Sequence, residues 1–72
     1  MTRDEWLAAF ASAAGVDATS ADDIDALLEL AGIAAHVSER TAAPITCWIA
    51  AVAGLTPADA LRIAQAVREG AE

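Results

Sequence analysis

Apolar residues recur every three or four positions in four segments of the chain, which is the spacing of amphipathic helices. Short polar or glycine-containing stretches separate these segments, and no segment alternates apolar and polar residues as a strand would. Short connections make consecutive helices pack as neighbours. We therefore predict one all-α domain over residues 1–72, a compact four-helix bundle with helices over about 3–14, 21–37, 42–53 and 57–69.

Each predicted helix begins at a residue that can cap it. Thr2 followed by Glu5 is a capping box, and Thr56 followed by Pro57 is a typical helix start. Glycines follow the first and third segments and favour helix ends there. The predicted N-caps are Thr2, Ser20, Thr41 and Thr56.

The periodicity also predicts which side chains face the core. Gly32 lies inside the second helix, where we expect a neighbouring helix to approach closely. The predicted inward residues are Trp6, Leu7, Phe10 and Ala14 in the first helix, Ile24, Leu27, Leu28, Ala31, Ala34 and Ala35 in the second, Ile45, Trp48, Ile49 and Val52 in the third, and Leu61, Ala64 and either Val67 or its neighbours in the fourth.

Composition and charge exclude several classes of partner. Apolar residues make up 57% of the chain and about half of them are alanine, which favours closely packed helices. The net charge is -7, with four arginines and no lysine. Because such a chain repels phosphate, we expect it to bind neither nucleic acid nor an anionic membrane surface.

The single cysteine, Cys47, allows no intramolecular disulfide. Acidic residues follow Arg3 directly, so the first residues do not resemble a signal peptide. No apolar run is long enough to span a bilayer. These features predict a cytoplasmic location.

Catalytic and metal-binding patterns are weak. One histidine and one cysteine cannot form a zinc site without carboxylates, and His36 with Glu39 is the best pair at helical spacing. Cys47 lies in an apolar segment, where a cysteine is usually an unreactive core residue. A chain this short also encloses little space for a substrate. We therefore expect no enzymatic activity, no metal site and no cofactor.

The junction between the second and third helices concentrates the most distinctive polar residues. Free N–H groups at a helix start, together with Arg40 and the hydroxyls, could hold an anion or form a docking spot for a protein. Alternatively, these side chains only satisfy backbone groups at the turn. The candidate binding residues are His36, Ser38, Glu39, Arg40, Thr41 and Thr46.

The same region carries a family resemblance. Ala35–His36, the run Ser38–Thr46, Trp48 and Ala53–Gly54 resemble a small actinobacterial helical family of unknown function. Its members occur alone or attached to the guanylyltransferase of molybdenum cofactor synthesis, and many have proline where this chain has Thr41. The resemblance implies an accessory domain linked to molybdenum cofactor or formate dehydrogenase maturation, and it assigns no catalytic residue.

These observations predict a non-catalytic protein-interaction domain. The expected partner is a protein, either an enzyme of molybdenum cofactor handling or a second copy of the chain. The alternative is an anion- or nucleotide-binding domain that uses the junction from His36 to Thr46.

Overall fold

The computed structural model describes residues 1–71 and folds them into four helices with no strand. This arrangement confirms the predicted all-α four-helix fold, and each predicted boundary lies within two residues of the observed one. The helices are α1 (Arg3–Ala14), α2 (Ala21–Val37), α3 (Ala42–Val52) and α4 (Pro57–Ala71).

Three of the four predicted N-cap residues form the expected hydrogen bonds between their side chains and the backbone N–H groups of the first helical turn. Thr2 and Glu5 form the reciprocal bonds of a capping box. Ser20 accepts a hydrogen bond from the Asp23 N–H at 3.2 Å, and Thr56 accepts one from the Asp59 N–H at 3.1 Å. These local bonds satisfy N–H groups that have no partner inside the helix, which is why the helix starts follow the sequence so closely.

Thr41 differs from the other predicted N-caps. It precedes α3 with φ -67° and ψ -16°, and its side chain makes no capping hydrogen bond. An N-cap hydroxyl reaches the helix N–H groups from extended backbone, whereas Thr41 already has helical dihedrals. The backbone closes the turn instead, because the N–H groups of Ala42 and Ala43 donate to the carbonyls of Glu39 and Arg40.

Helix α2 lies at the centre of the fold and packs against both α3 and α4. Helix α1 lies beside the first turns of α2, where Leu7 and Ile24 line the same open pocket. Its contacts with the other helices are sparse, and the molecule extends 40 Å along its longest axis. The closely packed part of the fold is therefore formed by α2, α3 and α4.

The fully buried core is small. Leu30 of α2 is 1% exposed, and it meets Ala60 of α4 and Ala50 of α3, which are 3% and 7% exposed. The partly buried residues around these three are Leu27, Cys47, Leu55 and Ala64. Two alanines let α3 and α4 approach α2 closely around one large side chain.

The structure corrects several predicted core positions. Leu28 points to solvent, and Leu30, a large apolar core candidate that lies outside the predicted stripe of α2, takes the central place. On α1, Trp6 and Phe10 are more than half exposed, because this helix has little of the core to pack against. Val67 of α4 is also exposed, whereas Leu61 and Ala64 are partly buried as predicted.

The prediction of a close helix approach at Gly32 is wrong. A Cβ atom added there would meet no heavy atom within 4 Å beyond the adjoining chain and the helix's own backbone. The close approach occurs instead at Ala50 and Ala60, which pack against Leu30 on a different side of α2. Gly32 therefore occupies an ordinary helical position with open space beside it.

Candidate groove and exposed face of helix α3

Helix α3 carries its small side chains inward and its large ones outward, the reverse of the predicted orientation. Ala50 is buried, and Thr46 and Cys47 are half-buried. The outward residues follow the spacing i, i+3, i+4, i+7, which places them on one face of the helix. We call these residues the α3 seam: Ile45, Trp48, Ile49 and Val52, which are 59, 71, 59 and 70% exposed.

An open apolar groove lies next to the α3 seam, between α3 and α4. It encloses about 300 Å³, with Ile33 and Val37 of α2 as its floor. Ile49 forms one wall, and Ile63 and Val67 of α4 form the other. The polar side chains that reach the groove are Ser38, Thr46 and Arg68. We use the name groove for the surface that these residues form.

The groove exists because α3 and α4 are close only at one end. They join through the short connection Ala53–Thr56 and meet around Leu30, where Ala50 and Ala60 are small enough for close contact. Away from that point each helix packs on α2 rather than on the other. Larger side chains therefore line a space that a fourth helix of a bundle would ordinarily fill.

Charge is distributed unevenly between the two halves of the chain. Residues 1–37 contain seven acidic residues and one arginine, whereas α3 contains no charged residue. Residues 38–71 contain three acidic residues and three arginines and are neutral overall. The α3 seam and most of the groove thus belong to the neutral half, and most of the excess negative charge lies on residues 22–29 of α2.

The six predicted site residues lie near one another along the chain but do not form a shared hydrogen-bond network within residues 1–71. The Ser38 hydroxyl donates to the Ala34 carbonyl at 2.7 Å, and the Thr46 hydroxyl donates to the Ala42 carbonyl at 2.8 Å. Both hydroxyls therefore satisfy carbonyls of their own helices. The remaining four, His36, Glu39, Arg40 and Thr41, are exposed.

Anion binding at this junction stays a prediction. The N–H groups of Ala42 and Ala43 already donate to turn carbonyls, and Pro44 has no N–H. Arg40 takes part in neither of the two ion pairs formed within residues 1–71, Arg3–Asp4 and Arg62–Asp59. Its guanidinium is thus the principal donor that the junction offers to an anion.

Metal-binding side chains are scattered over the described part of the chain. Residues 1–71 contain no cluster of three His, Cys, Asp or Glu side chains that could hold a metal ion. Cys47 is half-buried and packs against the core cluster. None of the helices within residues 1–71 is both long and apolar enough to cross a membrane.

Sequence reasoning missed the α3 seam and the groove as candidate binding surfaces. A signal for the seam was present, because α3 has no charged residue and is apolar on every side. A helix that is apolar all round is either fully buried or partly unpartnered. The 72 residues themselves supply few side chains that could surround α3 on every side.

Comparisons with known proteins place the chain in a family but supply no function. No curated protein and no solved structure matches it. One family model, described as a domain of unknown function, DUF6457, matches residues 1–72. Since that match covers the whole sequence, the chain belongs to the DUF6457 family.

Proposed function

We propose that the chain is a non-catalytic protein-interaction domain whose groove binds an amphipathic helix of a partner protein. The observation that carries the proposal is the groove itself, an apolar space of about 300 Å³ open to solvent beside exposed isoleucines and valines. Apolar surface of this kind on a globular domain marks an interaction site, because leaving it in water is unfavourable.

The shape of the groove favours a helix as the occupant. Three helices already surround it, and a fourth helix placed between α3 and α4 completes the arrangement of a bundle. Such a helix inserts apolar residues spaced i, i+3 or i+4, and i+7. Arg68, the charged residue that lines the groove, can pair with an acidic side chain of that helix.

The chain's own α1 does not occupy this position. It lies beside Ile24, whereas the groove begins at Leu30 and extends to Val37 near the far end of α2. Ile24 and Val37 are separated by about 20 Å along the helix axis at 1.5 Å per residue. The groove is thus free for a segment of another protein.

The resemblance to an actinobacterial family linked to molybdenum cofactor guanylyltransferase directs the proposal to a partner class. We propose that the partner is a protein of molybdenum cofactor or formate dehydrogenase maturation. The neutral charge of residues 38–71 supports an apolar docking mode rather than one driven by strong electrostatic attraction.

The test measures binding of the full chain to purified molybdenum cofactor guanylyltransferase and to formate dehydrogenase maturation proteins by isothermal titration calorimetry. Val67→Glu introduces a charge into the groove, and Val16→Glu introduces the same charge at an equally exposed valine outside it (63 and 64% exposed). We expect Val67→Glu to abolish binding and Val16→Glu to preserve it. Absence of binding to every protein tested rejects this partner class, and equal loss in both variants rejects the groove as the site.

A further inference from the structure

We propose that the α3 seam pairs with the α3 seam of a second copy of the chain, forming a two-fold symmetric dimer. This inference rests on the proposed function in treating the apolar surface as an interface, but it uses a different face. Three of the four seam residues lie outside the groove, and Ile49 is shared. A partner helix and a second copy can therefore be tested separately.

The seam has the residue pattern of a self-pairing helix. Ile45, Trp48, Ile49 and Val52 stand at i, i+3, i+4 and i+7, the spacing with which two helices interlock their side chains. A two-fold interface requires a surface that is complementary to itself. A continuous stripe of apolar side chains meets that requirement, because either copy can contribute the same residues.

Charge distribution favours a second copy over a charged partner at this face. The copies would otherwise repel, since each carries a net charge of -7. The excess negative charge belongs to residues 1–37, whereas α3 has no charged residue and residues 38–71 are neutral. Pairing through α3 therefore places no like charges opposite each other along the paired helices.

The exposed area of the seam fits a weak dimer. Its four side chains expose roughly 500 Å² on each copy, given their exposed fractions and ordinary side-chain areas. A pair would therefore bury about 1,000 Å² in total, the lower limit for a specific interface. Trp48 lies within the stripe and is 71% exposed, and tryptophan is among the residues that most often dominate interface energy.

The first test is sedimentation equilibrium of the full chain over a range of micromolar concentrations. We expect reversible association from the 7.3 kDa protomer to twice that mass. Trp48→Glu should weaken the association by at least about 30-fold, and Val52→Arg should also weaken it. Trp6→Glu changes the other tryptophan, which lies on α1, and should leave the association unchanged. Circular dichroism checks that each variant stays helical.

A second test locates the interface by fluorescence, because the chain has only two tryptophans. In Trp6→Phe, Trp48 is the remaining indole, and its emission should move to shorter wavelength as concentration rises. In Trp48→Phe, the emission of Trp6 should not change. Added salt should strengthen the dimer, because it screens repulsion between the acidic halves without weakening apolar contact.

Three results overturn the proposal. A protomer mass at every concentration shows that the seam does not pair, and binding of a helical partner to the groove then remains separately measurable through Val67→Glu. A concentration-dependent shift of Trp6 with none at Trp48 shows that the copies associate through α1 and not through the α3 seam. Binding of a different protein that Trp48→Glu abolishes, without self-association, assigns the seam to that protein.

Discussion

The indole of Trp6 packs against the ring of Phe10, with 5.8 Å between the ring centroids and a 37° angle between the planes. The two residues stand four positions apart on α1, so they are neighbours on one helix face. Both remain more than half exposed, and α1 has sparse contacts with the other helices. The pair therefore stabilises its own helix far more than it stabilises the fold.

Replacing Phe10 with alanine should lower the free energy of unfolding by less than about 1 kcal/mol. The aromatic pair is worth about 0.5–1.5 kcal/mol, and the higher helix propensity of alanine offsets part of its loss. Urea denaturation followed by far-ultraviolet circular dichroism measures the change. A core phenylalanine costs about 3–5 kcal/mol when truncated. A loss of that size would mean that α1 packs into the core in solution.

Leu30→Ala should be the most damaging truncation of an aliphatic side chain in α2. Leu30 is almost fully enclosed, so its removal leaves a cavity and costs about 3 kcal/mol. Leu28→Ala removes the same atoms from a position that is 55% exposed, and it should cost less than about 1 kcal/mol.

Chemical denaturation of the two leucine variants gives this comparison directly. A domain of this size has little stability to spare, so a milder variant guards against loss of the folded baseline in Leu30→Ala. Leu30→Met keeps the volume and should cost less than about 1.5 kcal/mol, so it supplies a measurable second variant. Equal losses for Leu30→Ala and Leu28→Ala would contradict the assignment of Leu30 to the core.

Two glycines should respond to alanine in opposite directions. Gly54 has φ +74°, a left-handed conformation that costs a residue with a Cβ atom about 1 kcal/mol. Gly32 has ordinary helical backbone with open space where a Cβ would lie. Gly54→Ala should therefore destabilise the chain by about 1 kcal/mol, and Gly32→Ala should stabilise it by about 0.5–1 kcal/mol. Thermal unfolding of both variants measures the sign of each change in stability. Destabilisation by Gly32→Ala would indicate that another part of the chain lies close to α2 at Gly32.

The helix boundaries were predictable from the sequence because they depend on neighbouring residues. Thr2 bonds to the backbone N–H of Glu5, and Thr56 bonds to that of Asp59, each within one helical turn. Such bonds form whatever the rest of the chain does. Thr41 was the exception, because its helical backbone dihedrals, rather than its residue type, decide whether the hydroxyl can cap.

The orientation of α3 was not predictable in the same way. Its two faces are both apolar, one with Ala50 and Cys47 and the other with Trp48 and Val52. Periodicity places the larger residues inward, because they gain more from burial. Which face of α3 points inward depends instead on how closely α2 approaches. At the contact of Leu30 with Ala50, there is room for only a small side chain on α3. The groove follows from that long-range contact, so the local sequence pattern did not reveal it.

The contact between Leu30 and Ala50 gives the sharpest test of which face of α3 points inward. Ala50→Leu adds three carbons beside Leu30 and should destabilise the chain by about 1–3 kcal/mol through overpacking. Ala51→Leu adds the same atoms at an exposed position one residue later and should change stability by less than about 0.5 kcal/mol. Trp48→Ala should cost less than about 1 kcal/mol when unfolding is measured at concentrations low enough to keep the chain monomeric, because its indole is 71% exposed. If Trp48→Ala instead cost about 3 kcal/mol or more while Ala50→Leu were tolerated, the helix would be rotated with the seam inward, and both proposed interfaces would lose their basis.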